Sequence, residues 1–284
     1  MKLRRRSIRQ VVTRQMNVNP SASTERRTQP GHIRLLSFNI QVGNTTSAYH
    51  HYVTNSWQHV LPYAGREVKL RRIGALLADY DLVALQEVDG GSLRSGYANQ
   101  VEYLAKIGSF PYWYQQLNRN FGPFAKHSNG VLTRVQPSLL EDHPLPGLQG
   151  RGAILLKYGE GDNSLMVVMM HLALGVSARN LQLEYIRKLV KGYRHQILMG
   201  DLNTQAVDLL QHSPLKDLGL LAPQVKATFP SWRPQRCLDH ILVSPGLSIA
   251  KVDVLPIAIS DHLPVSMELV MPKAVAAHSQ LPIG

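Results

Sequence analysis

The chain has little cysteine: Cys237 is the single one in 284 residues. One cysteine excludes an intrachain disulfide and a cysteine-rich metal site. The chain also has no apolar run of the roughly 18 residues that a membrane-spanning helix needs. We therefore expect neither a disulfide-stapled scaffold nor a helical membrane protein, and we treat Cys237 as a small buried residue rather than a nucleophile.

Acidic residues are nearly missing from the first 30 positions. This segment holds eight lysines and arginines against one acid, Glu25, and so carries +7 of the total formal charge of +12. It has no apolar centre, which is unlike a secretory signal. We predict that residues 1–30 form a mobile basic tail on a cytoplasmic protein. An Arg-rich, acid-poor start is also typical of organelle transit peptides, and that alternative stays open.

From residue 31 the chain has the pattern of an α/β domain. The run at 69–80 is typical of an amphipathic helix. Ser177 is a candidate cap for a second helix that reaches about Gly192, with Leu181, Tyr185 and Leu189 facing inward. We predict one domain over 31–272, followed by a C-terminal tail at 273–284. The predicted buried strands are IRLLSFNI (33–40), DLVALQEV (81–88), GVLTRV (130–135), GAILLKY (152–158), SLMVVMMH (164–171), HQILMG (195–200), LDHILVS (238–244) and PVSMELV (264–270).

Polar side chains recur where these strands end or begin. In α/β folds, ligands bind at loops beyond strand ends. Converging carboxylates repel one another and are costly to bury unpaired, so a divalent cation, histidines or a phosphate-bearing substrate would reconcile them. The residues of this set are Asn39, Glu87, His171, Asp201, Asn203, Asp239, Asp261 and His262.

Six motifs, taken in order, resemble the endonuclease/exonuclease/phosphatase superfamily. They are SFNI, LQEVD, MMHL, MGDLNT, LDHILVS and SDHLPV, and the resemblance spans about residues 33–270. That group includes pancreatic-type deoxyribonucleases, abasic-site endonucleases, neutral sphingomyelinases and inositol polyphosphate phosphatases. The resemblance implies a four-layer α-β-β-α sandwich, in which two packed mixed sheets are flanked by helices. It also implies hydrolysis of a phosphodiester by in-line attack of an activated water.

The resemblance implies a metal site. Glu87 corresponds to the main metal ligand, Asn39 lies beside it, and Asp261 corresponds to a second metal-site carboxylate. Carboxylate and amide ligands without thiolates favour Mg²⁺, with Mn²⁺ as a substitute. Gln41 stands where several nucleases have an acid, which argues against a tightly bound second metal.

The resemblance also implies catalytic roles. Asp201 corresponds to the residue that orients or deprotonates the attacking water, and Asn203 corresponds to a phosphate contact. His171 corresponds to a phosphate-binding histidine. Asp239 and His262 correspond to a buried acid–imidazole pair, in which the acid fixes the tautomer and stabilises the charged ring.

Several further residues are candidates for substrate binding. Arg151 and Asn129 match family positions, and Arg151 is expected to face either a phosphate or a carboxylate; an ordinary hairpin arginine is the alternative. Trp232 and Arg236, in TFPSWRPQRCLDH (228–240), suit stacking on bases and pairing with phosphate. Packing of Trp232 within the domain, with a solvated Arg236, is the corresponding alternative.

Nucleic acid is the substrate that the basic composition favours. A lipid headgroup or a small phosphoester is the second hypothesis, because the loop at 43–65 is rich in Tyr, His and Trp and could meet a membrane surface or a sugar ring. A binding module without activity on the same fold is the third. No protein partner can be inferred from the sequence.

Overall fold

The computed structural model describes residues 11–22, 28–29, 31–43, 64–147, 149–224 and 226–279. The aromatic-rich loop falls mostly on 44–63 and so lies outside the described residues. The described strands are β1 (Val12–Thr13), β2 (Asn17–Val18), β3 (His32–Asn39), β4 (Leu82–Asp89), β5 (Tyr112–Asn120), β6 (Lys126–Thr133), β7 (Leu139–Pro144), β8 (Gly152–Tyr158), β9 (Leu165–His171), β10 (His195–Asp201), β11 (Asp239–Val243), β12 (Ser248–Val254) and β13 (Val265–Val270). The described α-helices are α1 (Ala64–Leu77), α2 (Gln100–Ile107), α3 (Val176–Val190), α4 (Ala206–Gln211) and α5 (Lys273–Ser279).

Among the described residues these strands form two mixed sheets. The first sheet has the order β1-β7-β8-β9-β10-β11, and the second has the order β12-β13-β3-β4-β6-β5-β2. The pairs β3/β4 and β9/β10 are parallel, whereas the other pairs are antiparallel. The carboxyl ends of each parallel pair therefore lie together, and this brings the polar strand ends of the sequence into reach of one another.

Alternation along the strands creates the four layers. Successive side chains of a strand point to opposite faces of a sheet. Leu35 of β3 faces the apolar core between the sheets, whereas Leu36 packs outward with helices α1 and α2. In the first sheet, Val167 faces the same central core and Val168 packs outward with α3 and α4. The predicted α/β sandwich of two mixed sheets flanked by helices is confirmed.

The two helices predicted from the sequence are present. In α1 the predicted stripe is buried, and Leu70 and Ile73 are 8% and 0% exposed.

The predicted inward face of α3 is correct in part. Helix α3 begins after Gly175 instead of a Ser177 cap, and Leu181 is 60% exposed, so the inward position of Leu181 was wrong. Tyr185 and Leu189 are partly buried and pack against the same outer core as the buried Ile186.

Both predicted tails are partly built into the fold. β1 pairs with β7 and β2 pairs with β5, and the Asn19 side chain donates to the carbonyl of Phe110 at 3.2 Å. The prediction of a mobile tail is therefore wrong for residues 11–22, because their backbones complete the edges of both sheets; residues 1–10 lie outside the described part. The C-terminal tail was also wrong over 273–279, because α5 buries Val275 and Ala276 in the central core.

Gly200 shows why the MGDLNT motif requires glycine in strand β10. Its φ is +143°, and a Cβ at this position would overlap the carbonyl oxygen of Met170 in the neighbouring strand β9. Glycine alone permits both this backbone conformation and the close approach. The approach holds the end of β10 against the end of β9, next to the candidate site. Within the described residues, no helix is long and apolar enough to cross a membrane.

Candidate active site

The ends of four strands bring the candidate residues together. Asp201, the last residue of β10, lies opposite His171 of β9 on one side and opposite Asp239 of β11 on the other. Asn39 ends β3 in the second sheet and reaches across to Asp201. These side chains are almost completely buried, at 5% exposure or less. The site therefore straddles the two sheets where their strand ends meet.

Asn39 links the two carboxylates that the sequence assigned to different roles. Its Nδ2 donates to Asp201 Oδ2 at 3.1 Å and to Glu87 Oε1 at 3.2 Å. The backbone N–H of Gln41 donates to Asn39 Oδ1 at 3.1 Å, which fixes the orientation of the amide. Gln41 is 6% exposed and has a φ of 46°. The residue that departs from the nuclease pattern thus lies next to the site.

Glu87 is aimed into the site by an irregularity in its strand. The β4–β6 register shifts between Leu85 and Val88, and Glu87 has a φ of 54°, which is a strained conformation for a residue with a side chain. Bulges of this kind redirect side chains at functional sites. Burial raises the pKa of Glu87, and the nearby charge of Asp261 raises it further, while His262 and Asn39 oppose these effects. Two carboxylates thus share one region.

Asp261 is buried on the same side. Ser260 donates from Oγ to Asp261 Oδ1 at 3.1 Å, and Ser231 N–H donates to the Asp261 carbonyl at 2.7 Å. Glu87 and Asp261 together supply a set of carboxylate oxygens, whereas Asn39 turns its Nδ2 toward Glu87 and its Oδ1 toward the Gln41 N–H. Such a set has the chemistry that Mg²⁺ and Mn²⁺ prefer.

His262 and Asp239 form the buried pair that the resemblance implies. His262 Nδ1 lies 2.8 Å from Asp239 Oδ2, and Thr228 donates its hydroxyl to the same oxygen at 2.6 Å. The Nε2 of His262 lies 3.9 Å from Asp201 Oδ2. Burial by itself lowers the pKa of His262, but the charges of Asp239 and Asp201 outweigh it and the pKa is raised. His262 is therefore an imidazolium at neutral pH.

His171 has the opposite electrostatic character. Burial lowers its pKa well below the ordinary value, and the neighbouring charges of Arg151 and His262 lower it further. Nη1 of Arg151 lies 2.6 Å from Nε2 and 2.9 Å from Nδ1 of the ring, so the arginine faces the site instead of solvent. Since a guanidinium only donates, the neutral imidazole accepts from it. The Nε2 atom also lies 3.5 Å from Asp201 Oδ2.

Asp201 is the centre of the cluster. Burial raises its pKa, and the charges of Asp239 and Glu87 act in the same direction, whereas His262 and the Asn39 amide lower it. One ligand atom each from Asp201, Asp239 and His262 lies within 4.8 Å of the others. Asn203 follows in the loop, where its N–H donates to Asp201 Oδ1 at 3.1 Å and its Nδ2 donates to the Leu172 carbonyl at 2.9 Å.

A cavity of about 460 Å³ opens beside the cluster. Asn129 forms part of its wall, and its amide donates to Gln116 Oε1 at 3.1 Å and to the Gly152 carbonyl at 3.2 Å. The second of these bonds ties β6 of one sheet to β8 of the other. The same cavity is also lined by Glu87, Arg119, His127, Gln149, Gly150, Arg151 and His171.

Phe229 connects the last two substrate candidates to the cluster. Its ring lies 4.8 Å from the His262 ring between centroids, and the Arg236 guanidinium carbon lies 4.8 Å from the same ring on an exposed surface. Trp232, three residues after Phe229, is half-buried. Thr228 was missed as a site residue in the sequence analysis. The sequence shows only a hydroxyl residue eleven positions before Asp239, and the contact between the two forms only when the loop folds back.

Two packed mixed sheets with this acid–imidazole cluster at their strand ends define a phosphoesterase sandwich. The comparison with family profiles agrees, because residues 36–262 match the Endonuclease/Exonuclease/phosphatase family. The chain belongs to this family, whose members are divalent-metal-dependent phosphoesterases that include nucleases and phosphatases. A comparison with curated proteins found no significant match.

Solved structures of the same family share the fold. An endonuclease/exonuclease/phosphatase from Beutenbergia cavernae has a TM-score of 0.66 at 21% identity, over 86% of this chain and 72% of that one. The mannosyl-6-phosphatase of Bacteroides thetaiotaomicron has a TM-score of 0.61 at 17% identity, over 84% and 99% of the two chains. TDP2 of D. rerio, complexed with a single-strand DNA product, has a TM-score of 0.60 at 16% identity, over 84% and 98%.

Proposed function

We propose that this protein is a nuclease that hydrolyses phosphodiester bonds by in-line attack of an activated water. The observation that carries the proposal is the environment of Asp201. One buried carboxylate is approached at 3.1 Å by an amide, at 3.5 Å by a neutral imidazole and at 3.9 Å by a charged imidazole. Asp201 can thus serve as a base for water, and the side chains around it can donate to phosphate oxygens at the same place.

Glu87 and Asp261 are the residues that would hold the divalent cation, because they supply carboxylate oxygens without a thiolate. Asn39, the third residue of the expected metal site, orients Glu87 through its Nδ2. When bound, Mg²⁺ neutralises charge on the non-bridging oxygens of the phosphate. Burial raises the pKa of Glu87, and the charge of the neighbouring Asp261 raises it further. A bound cation would relieve this repulsion between the two carboxylates.

Asp201 is the proposed base. Burial and the neighbouring carboxylates raise its pKa, so its basicity is greater than that of an exposed aspartate and suits proton transfer near neutral pH. The Asn39 amide and the Asn203 N–H each donate to it, and these bonds fix its orientation. In this position the carboxylate holds the water and accepts its proton.

His262 is the proposed cationic donor to the phosphate. Asp239 occupies its Nδ1, which leaves Nε2–H directed toward the cluster. A charged N–H aimed at developing negative charge in a dry site stabilises the transition state. Arg151, just before β8, and His171, at the end of β9, offer the phosphate a second set of donors from the first sheet. Asn203 is a further phosphate contact.

Nucleic acid is the proposed substrate because base-sized aromatic surface and positive charge occur together at the site. The exposed Arg236 stacks on Phe229, which contacts His262. Stacking and phosphate pairing of this kind suit single strands. The formal net charge of +12 supports an anionic polymer as partner. The fold shared with TDP2 is compatible with this proposal.

A lipid headgroup or small phosphoester is the second candidate, and one observation favours it. Leu174 and Val176, at the rim next to His171, are 74% and 62% exposed. An apolar rim suits contact with a lipid surface or a sugar ring. The shared fold of the mannosyl-6-phosphatase is compatible with a small substrate.

The test is one panel of substrates with Mg²⁺, with Mn²⁺ and with a chelator. The panel contains duplex DNA, single-stranded DNA, RNA, sphingomyelin, inositol phosphates and bis(p-nitrophenyl) phosphate. We expect turnover of a nucleic acid and of the generic diester, and none with the chelator. Glu87→Gln should abolish most turnover with the fold intact, whereas the exposed Glu160→Gln is a matched control that should retain it. Full turnover by Glu87→Gln would refute the metal assignment.

A further inference from the structure

The cavity beside the catalytic cluster is lined by two groups of charged residues. Glu87, His171 and Arg151 belong to the cluster, whereas Arg119 and His127 belong to the hairpin of β5 and β6. Its volume of about 460 Å³ lies within the range of roughly 300–1,000 Å³ that is typical of ligand sites. The space therefore accommodates more of a substrate than the phosphate that reacts.

The hairpin of β5 and β6 contributes two basic side chains to the cavity wall. Arg119 of β5 and His127 of β6 are cross-strand partners. The Arg119 guanidinium carbon lies 4.8 Å from the centre of the Phe121 ring, and the His127 ring meets Phe121 edge-on at 5.8 Å. One exposed phenyl ring thus supports both groups at the tip of the hairpin.

Arg119 is placed over the cavity and has no acidic partner in the part of the chain that the structure describes. A Cβ at Gly150, in the cavity wall, would lie 3.5 Å from Cδ of Arg119, so the arginine stem passes directly above this glycine. Gly150 has a φ of +105°, which favours glycine at this point. Within the described residues, no carboxylate lies within ion-pair distance of Arg119.

The charge at the hairpin has an evident complement. The acidic residue of the lining is Glu87, and it belongs to the catalytic cluster. A guanidinium forms paired hydrogen bonds with phosphate oxygens. Arg119 would therefore attract an anionic group of a substrate that lies in the cavity beside the cluster.

We propose that Arg119, with His127 beside it, forms a subsite for a second phosphate that neighbours the phosphate undergoing hydrolysis. The inference rests on the proposed function, since it takes the catalytic cluster as the place of the first phosphate. The subsite selects substrates with two successive phosphates, as in a nucleic-acid strand. A sugar bisphosphate offers the same chemistry, and the experiment separates the two sources.

The first measurement is binding in the presence of a chelator, by calorimetry, so that no ligand is hydrolysed. The ligands are a thymidine dinucleotide without terminal phosphates, the same dinucleotide with a 5′- or a 3′-phosphate, and a sugar monophosphate beside its bisphosphate. We expect one phosphorylated dinucleotide to bind about tenfold more tightly than the unphosphorylated one, which is the effect of one charge-assisted contact. Arg119→Gln should remove this gain.

The control variant is Arg194→Gln. Arg194 is exposed and directly precedes β10, at the end of that strand opposite to Asp201, so about 20 Å of strand separate it from the cluster. Arg194→Gln removes the same charge as Arg119→Gln but should keep the tenfold tighter binding of the phosphorylated dinucleotide. A gain seen with the sugar bisphosphate alone, and lost in Arg119→Gln, supports the subsite with a small molecule as its source. An equal loss in both variants, or no effect of Arg119→Gln on any of these ligands, overturns the subsite.

The second measurement separates this inference from the proposed function. Bis(p-nitrophenyl) phosphate carries one phosphate, and Arg119→Gln should turn it over at the wild-type rate while losing about tenfold in kcat/KM on the phosphorylated dinucleotide. Failure of the wild type to hydrolyse either compound contradicts the proposed function and leaves the binding result as the test of the subsite. Equal losses of Arg119→Gln on both compounds contradict the subsite alone.

Discussion

The pair of Asp239 and His262 gives the sharpest prediction about this site. Asp239→Asn keeps the shape of the side chain but removes the buried charge that lies 2.8 Å from His262 Nδ1. Among the groups that raise the pKa of His262, Asp239 has the largest effect. In the variant, the pKa of His262 falls toward or below its ordinary value of about 6.5, because burial is then less opposed. The ring loses its positive charge near neutral pH.

The magnitude follows from the roles of the two groups. Loss of a donor or acid–base group at such a site costs on the order of 10²–10⁴ in rate, which is about 2.7–5.4 kcal/mol of activation free energy. We expect losses in this range for Asp239→Asn and for His262→Ala. Because Asp239 acts through His262, the double variant should lose about as much as His262→Ala alone. The coupling energy should then approach the whole cost of Asp239→Asn.

The assay is kcat on bis(p-nitrophenyl) phosphate at saturating Mg²⁺, with far-ultraviolet circular dichroism as the check on folding. The protonation of His262 is followed separately by NMR in a chelator. The wild-type ring should stay charged above pH 7, since its pKa in the fold is raised, and the Asp239→Asn ring should lose its proton at a lower pH. Thr228→Val is the matched control, because it removes no charge. It removes the hydroxyl that donates to Asp239 Oδ2 and accepts from the Leu238 and Asp239 N–H groups, and it should cost about fivefold or less in kcat.

Two results would refute this reasoning. A double variant that loses the full product of the two single losses shows that the residues act independently. An Asp239→Asn enzyme with an unchanged His262 titration but a full loss of rate shows that Asp239 acts by some means other than the charge of the ring.

Further predictions concern the metal site, the fold and the tail. Gln41→Asp adds a carboxylate beside Asn39 and should lower the Mg²⁺ concentration that gives half-maximal rate; an unchanged titration would show that this side chain does not face the metal. Gly200→Ala should cost at least about 3 kcal/mol of unfolding free energy in urea, because its Cβ meets the Met170 carbonyl, whereas Gly192→Ala, which has open space around it, should stay within about 0.5 kcal/mol. Removal of residues 1–10, which carry five basic residues and no acid, should leave kcat unchanged but weaken duplex DNA binding at low salt and lower the slope of log affinity against log salt by roughly 0.9 per lost phosphate contact. Equal salt slopes for the two forms would show that the segment does not contact DNA.

Local sequence patterns predicted eight of the thirteen described strands and the identity of the residues in the cluster, but they missed β1, β2, β5, β7 and β12. Apolar runs such as LVALQEV and LMVVMMH are local patterns, and a strand buried on both faces needs no distant information to be recognised. The polar residues that follow these runs lie at strand ends whatever the arrangement of the sheets. Their convergence depends on the parallel pairs β3/β4 and β9/β10, on the antiparallel pair β10/β11 and on the contact between the two sheets.

The partners that each local element meets depend on the folded domain. Leu181 and Ile186 are both apolar residues of α3, but the position of the sheet buries Ile186 and leaves Leu181 exposed. Residues 11–22 are ordered by pairing with distant strands, and residues 273–279 are ordered by packing on the central core. Thr228 reaches Asp239, and Arg119 lies over Gly150, through loops and hairpins that close only in the folded chain. Contacts between residues far apart in sequence depend on the geometry of the whole domain, and a local sequence pattern does not predict that geometry.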